Sequence, residues 1–132
     1  MVTQLSVSTH ARAEMLDITS MVQQVVRASG TANGVCHVFA PHTTAGITIN
    51  EHADPDVSRD LLTGLDRMVP WDATYRHTEG NAAAHIKASL MGSSVTIFVE
   101  KGQLRLGTWQ GLFFCEFDGP RNRKVLVSLS PD

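Results

Sequence analysis

The segment Leu112-Phe113-Phe114-Cys115-Glu116-Phe117 constrains the fold more than any other, because apolar residues occupy both of its parities. Successive side chains of a strand point to opposite faces, so a strand apolar at both parities must be covered on both sides. A second sheet or another subunit is expected to supply part of that cover. The region around it reads as four strands in succession: Val95 to Glu100, Leu104 to Thr108, Gly111 to Asp118 and Lys124 to Leu129. Lys101-Gly102 provides a tight reversal, and Asp118-Gly119-Pro120-Arg121-Asn122 has the residues of a longer turn.

The preceding half alternates strand and helix periodicities. Thr3 to Thr9 alternates like a half-buried strand, and Asp17 or Thr19 can cap a helix carrying Met21, Val22, Val25 and Val26 up to Gly30. Gly34 to Ala40 and Thr44 to Asn50 are β-branched and apolar enough to read as strands. Asp54 followed by Pro55 marks a helix start, since the aspartate accepts backbone N–H bonds and proline takes a position that needs no donor. Val57, Leu61, Leu65 and Met68 form its apolar stripe, and Pro70 closes it. A third helix is predicted from about Thr78 to Gly92, with Ala83, Ile86 and Leu90 inward. No linker or internal repeat divides the 132 residues, so 1–132 is read as one α+β domain. It is expected to be mainly antiparallel and β-sandwich-like, with three short helices to one side.

Charge excludes some partners. Eleven basic against 13 acidic residues give a net charge of −2, so neither nucleic acid nor an anionic membrane is an expected partner. The first residues lack a basic stretch followed by an apolar one, and no run approaches the roughly 18 apolar residues of a spanning helix. A cytoplasmic location is the resulting expectation. Cys36 and Cys115 each lie within an apolar strand, as buried free thiols do.

Two stretches carry the chemistry: Pro41-His42-Thr43-Thr44-Ala45-Gly46, and Arg76 to His85 with its His77, Asn81 and His85. Asn81 and His85 are four apart on the third helix and share a face, His77 lies just before it, and His42 arrives from a strand end. Three neutral imidazoles meeting at one point would hold a divalent transition metal with one position open, as catalytic zinc is held. Solvated or core histidines are the other reading. The backbone amides of Glu79, Gly80 and Asn81 would be unpaired donors at the helix start, able to hold a phosphate or simply forming a capped end. Glu51 sits where a carboxylate could act as general base or orient a histidine, or stay a solvated loop acid. Trp109 and Gln110 occupy a glycine-flanked strand junction, where a core tryptophan is the alternative. Arg121, Arg123 and Lys124, with Arg76 and Lys87, could gather as a phosphate cluster or form a solvated face. His10, His37 and His52 have no assigned role, and no serine or cysteine stands in an activating context.

Taken in order, Phe39-Ala40-Pro41-His42-Thr43-Thr44-Ala45-Gly46-Ile47-Thr48-Ile49-Asn50-Glu51, then His77 to His85, then Gly107-Thr108-Trp109-Gln110 and Glu116-Phe117-Asp118-Gly119-Pro120-Arg121 resemble the YjbQ family across almost the whole chain. Members are often labelled secondary thiamine-phosphate synthase. The resemblance implies a homotrimer with a cleft near the subunit boundary and a small phosphorylated molecule as ligand. It makes His42, His77 and His85 metal or anion ligands and catalytic groups together with Glu51, and Gly80, Asn81, Trp109, Gln110 and Arg121 lining residues. The implied activity is a metal-assisted transfer joining a pyrimidine pyrophosphate to a thiazole phosphate. Zinc is the expected ion, or magnesium accompanying a phosphate substrate. Another metal-dependent hydrolase with Glu51 as base, or a non-catalytic binding module for a phosphorylated ligand, are the alternatives.

Overall fold

Eight strands and three helices are arranged in layers that leave one sheet end accessible. The computed structural model describes residues 1–132. In chain order the elements are β1 (Val2–Ser8), β2 (Glu14–Asp17), α1 (Thr19–Ser29), β3 (Gly34–Phe39), β4 (Ala45–Glu51), α2 (Pro55–Met68), α3 (Ala82–Met91), β5 (Ser94–Glu100), β6 (Gln103–Leu104), β7 (Gln110–Glu116) and β8 (Asn122–Pro131). All pairings are antiparallel: a five-stranded sheet β1-β8-β3-β5-β6 and a three-stranded sheet β2-β7-β4. The fold is α+β, as the periodicities require.

β7 is covered on both faces within one chain. Leu112 and Phe114 join Val38, Ile47, Ile97, Val125 and the α1 residues Val22 and Val26 in the core between the sheets. Phe113, Cys115 and Phe117, on the opposite parity, pack with Leu65 of α2 and Ala84 and Ala88 of α3. The second cover is therefore a pair of helices, and β7 gives no reason of its own to expect a second subunit.

Local signals set the helix starts. Asp54 accepts from the Asp56 N–H at 2.9 Å ahead of Pro55, the capping that the sequence specifies. At α1 the cap comes from one residue further out: Asp17 Oδ1 accepts from the Thr19 N–H at 2.9 Å. The hairpin between β5 and β6 turns at Lys101 (φ 52°) and Gly102 (φ 75°), the two positive angles that a tight twisted hairpin requires.

Several expectations fail for physical reasons. α3 begins at Ala82, not Thr78, because Gly80 sits at φ 87°, which a right-handed helix cannot contain; the Asn81 side chain is bonded to Asp118 (2.9 Å) instead of capping the helix. The amides of Glu79, Gly80 and Asn81 consequently lie outside the helical first turn. Ile86 and Leu90 are 40% and 54% exposed, while Ala82, Ala83, Ala84 and Ala88 are buried. The cause is a close approach: the Ile47 N–H donates to the Gly92 carbonyl at 3.0 Å, and a Cβ on Gly46 would lie 2.6 Å from that oxygen. Only small side chains fit between α3 and β4 at such a spacing. Met68 ends the α2 stripe in solvent. The strand expected over Leu104–Thr108 shrinks to Gln103–Leu104, since Gly107 and Gln110 fold on each other in a tight turn, N–H to carbonyl at 3.1 Å.

Candidate functional site

The ends of the three-stranded sheet divide the candidate residues into two groups. β4 and β7 run antiparallel, with Ala45 opposite Glu116 at one end and Glu51 opposite Gln110 at the other. Six residues at about 3.3 Å each separate those ends by roughly 20 Å. His42, Asn81, His85 and Arg121 belong to the first end; Glu51, Trp109 and Gln110 form the second. Within one chain, Glu51 cannot act as the base for a reaction at His42.

The histidine end rests on a buried ion pair. Glu116 and Arg123 have 0% and 6% side-chain exposure and face the sandwich interior. Glu116 Oε2 accepts from Arg123 Nε and from the Thr9 hydroxyl, both at 2.8 Å, and Oε1 accepts from the Asp118 N–H at 2.9 Å. Arg123 Nη2 also reaches Glu116 Oε1 and donates to the Thr44 hydroxyl at 2.8 Å. Burial alone would raise the Glu116 carboxyl; the Arg123 hydrogen bond, the Asp118 amide and Thr9 outweigh it and hold the group below its ordinary value. Thr44, two residues after His42, is thereby fixed to β8.

His42 extends this anchorage. β3 ends at Phe39, opposite Leu126, so Lys124 has no β3 partner for its backbone. His42 Nε2 takes that place, 2.9 Å from the Lys124 N–H and 3.2 Å from its carbonyl. The shorter contact makes Nε2 an acceptor and puts the ring proton on Nδ1. Burial and the neighbouring Arg123 charge lower the His42 pKa, against the opposing pull of the Lys124 carbonyl and Glu116. The ring is therefore neutral at pH 7, and its lone pair is already used.

His85, from α3, shares with His42 a depression of about 490 Å³ that Thr43, Ser89 and Ser93 also line. His77 meets His85 edge to face with ring centroids 5.2 Å apart. Beside them Asp118 Oδ2 accepts from Asn81 Nδ2 at 2.9 Å and from Arg121 Nη2 at 3.1 Å, and the Asp118 carbonyl accepts from Arg121 Nε at 2.7 Å. Asn81 Oδ1 is buried with no donor. No group of three or more His, Cys, Asp or Glu side chains in one chain is arranged to hold a metal ion. His42, His77 and His85 thus share one end of the fold without forming the three-ligand set that their spacing suggested.

Nor do the basic residues gather. Arg123 is held by Glu116 and Lys87 is buried against Asp66, while Arg76, Arg121 and Lys124 are exposed, with Arg121 paired to Asp118. At the far end Trp109 is 62% exposed, not a core residue, and Gln110 Oε1 accepts from the Gly107 N–H at 2.8 Å. His52, which had no expected role, hydrogen-bonds through Nδ1 to Asp17 Oδ2 at 2.9 Å. A charge at the core-facing parity of an apolar strand was the one signal for Glu116, because a buried carboxylate demands a partner.

This architecture has close counterparts. A family model described as UPF0047 protein YjbQ-like matches residues 3–132. The chain belongs to the YjbQ family. It is 50% identical over 126 residues to the UPF0047 protein YugU of Bacillus subtilis, covering 95% of this chain and 96% of that one. A crystal structure of a YjbQ/UPF0047 family protein from Clostridium acetobutylicum superposes with a TM-score of 0.95 at 55% identity, over 97% of this chain and 99% of the other. A YbjQ-like protein of unknown function from Sulfolobus solfataricus gives 0.96 at 36% identity, over 100% and 97%. No helix here is long and apolar enough to cross a membrane.

Proposed function

We propose that this YjbQ-family chain binds a small phosphorylated molecule in the depression between His42 and His85 and acts as a transferase of the secondary thiamine-phosphate synthase type. The observation that carries the reading is the convergence of these two histidines on one open depression. Pairing with Arg123 and Arg121 offsets the charge of Glu116 and Asp118, and Glu79, 4.0 Å from His77, is exposed enough to turn into solvent, so an anion can be accommodated. Joining a thiazole phosphate to a pyrimidine pyrophosphate forms a bond from the thiazole nitrogen to the pyrimidine methylene carbon as pyrophosphate leaves. Arg121, His77 and His85 are the groups that would hold the departing charge.

A divalent cation belongs to the same proposal, but the residues of one chain do not fit a zinc ion by themselves. The remaining ligands would have to come from substrate phosphates, which suits magnesium, or from a second subunit. A homotrimer in the cytoplasm is the proposed form. Phe98, 70% exposed, and Phe39, 42% exposed, remain on the outer face of the five-stranded sheet, and the Trp109–Gln110 end lies too far from the histidines to serve them within one chain.

The test is thiamine phosphate formation by the purified protein with added magnesium, with zinc, and with chelator. Turnover that depends on the cation and is lost in His85→Ala supports the transferase. Binding of the thiazole phosphate without turnover points to a non-catalytic module instead. Binding that survives both His85→Ala and Arg121→Ala rejects the site. Light scattering that reports a monomer rejects the trimer.

A further inference from the structure

We propose that the open depression between α2, α3, Ala13 and Phe117 is a second ligand site, one for a small oxyanion on an apolar body, anchored by the Lys87 ammonium. Lys87 lies among the alanines of α3 with its side chain 5% exposed. Its one hydrogen-bond acceptor is Asp66 Oδ1 at 3.1 Å, on a side chain that is itself 68% exposed. An ammonium group has three donors, and a buried charge is tolerated when its donors are met. The arrangement leaves donor capacity beside a depression of about 300 Å³ lined by Ala13, Leu62, Thr63, Leu65 and Phe117 together with the Lys87–Asp66 pair. Four apolar side chains beside a cation whose carboxylate partner is exposed give the composition of a small-molecule site.

A carboxylate or phosphate would accept from Lys87 while its hydrocarbon part lies against Leu62, Leu65 and Phe117. Asp66 competes for the same ammonium, and its exposure lets it turn away into solvent when a ligand enters. The cavity is separate from the histidine depression: His85 and Ser89 line that one, Lys87 lines this one, and α3 is the wall between them. The proposal does not rest on the transferase reading.

Benzoate and phenyl phosphate carry one apolar body on two head groups, and each can be titrated into the full-length protein while methyl NMR signals of Ala13, Leu62 and Leu65 are followed. Saturable shifts with either probe are expected. Affinity should fall by about tenfold or more in Lys87→Met, which keeps an apolar stem, and rise in Asp66→Asn, which removes the competitor. If Lys87 serves only as a tie between α2 and α3, both variants lower the melting temperature and neither changes probe affinity. That pattern, or no saturation below about 10 mM, beyond the weak end of specific binding, overturns the site. Should Lys87→Met fail to fold, an unchanged or weakened affinity in Asp66→Asn overturns it alone.

Discussion

Removing Arg123 is the most severe test of how the histidine end is held. In Arg123→Met the side chain keeps its apolar stem but leaves the Glu116 carboxylate, 0% exposed, with only the Thr9 hydroxyl and the Asp118 amide as donors. Breaking a buried pair on one side costs about 3–5 kcal/mol, against a total stability of roughly 5–15 kcal/mol for a domain of this kind. For a chain between the 100- and 150-residue classes, each kcal/mol lowers the melting temperature by about 3–5 °C, so a fall of roughly 10–25 °C is expected. The double variant Glu116→Leu/Arg123→Met removes both charges and should recover most of the loss, short of what the stranded Thr44 hydroxyl and Asp118 amide retain, since Thr9 keeps its bonds to the Arg121 backbone. Urea denaturation followed by circular dichroism, with the slope compared between variants, measures both quantities. A single variant that loses less than about 1 kcal/mol, or a double variant no better than the single, would refute the claim that this pair is a closed unit.

Other consequences can be checked more briefly. The folded-state pKa of His42 lies below its ordinary 6.5, so the unfolded chain takes up a proton first as the solution is acidified. Stability from this source is complete above about pH 6.5 and is lost as pH falls toward the folded value. The urea midpoint should therefore decline over that window less steeply in His42→Gln than in the wild type; parallel profiles would remove His42 as the cause. Burial pushes Cys36 up to about 11 and Cys115 to about 12, so neither thiol should react with a disulfide reagent at pH 8 until denaturant is added. Gly46→Ala would set a Cβ 2.6 Å from the Gly92 carbonyl and 3.0 Å from Met91 Cβ. A loss of about 1–3 kcal/mol or more is expected from this overpacking, and an unchanged melting temperature would show that α3 is not seated on β4 as described.

The parts of the fold legible in the sequence are those with local causes. Asp54-Pro55 fixes the start of α2, and the two-sided apolar run of β7 announces two covers, because capping and strand parity act within a few residues. What covers β7 on its second face was not legible, since that depends on where α2 and α3 pack. β2 went unseen because Glu14–Asp17 holds only two apolar residues, too few for a period; its pairing with β7 makes it a strand. The start of α3 was misplaced because Gly80 takes a left-handed φ of 87°, a choice its residue type permits but does not announce. Spacing offered His42 and His85 beside a solvated or core reading, and the family resemblance favoured them; the two do line one depression. Their engagement was not visible, because Lys124 is 82 residues from His42.

That engagement decides how His42 can serve any ligand. A neutral imidazole has one lone pair available for hydrogen bonding, and Nε2 spends it on the Lys124 N–H at 2.9 Å, so the polar atom left to His42, which lines the depression, is an Nδ1–H donor, suited to an oxygen of a phosphate. To bind a cation through Nδ1 the ring would have to move its proton to Nε2 and turn the 3.2 Å contact with the Lys124 carbonyl into its hydrogen bond. The Lys124 N–H would then lose its acceptor, at a cost of about 1–3 kcal/mol that ion binding would have to exceed. Nitrogen-15 shifts of the two ring nitrogens distinguish these forms directly. The Nδ1–H form is expected in the free protein at pH 7.5, and it should persist when inorganic phosphate is added. An Nε2–H signal in the free protein would refute the assignment and would leave Nδ1 open as a ligand.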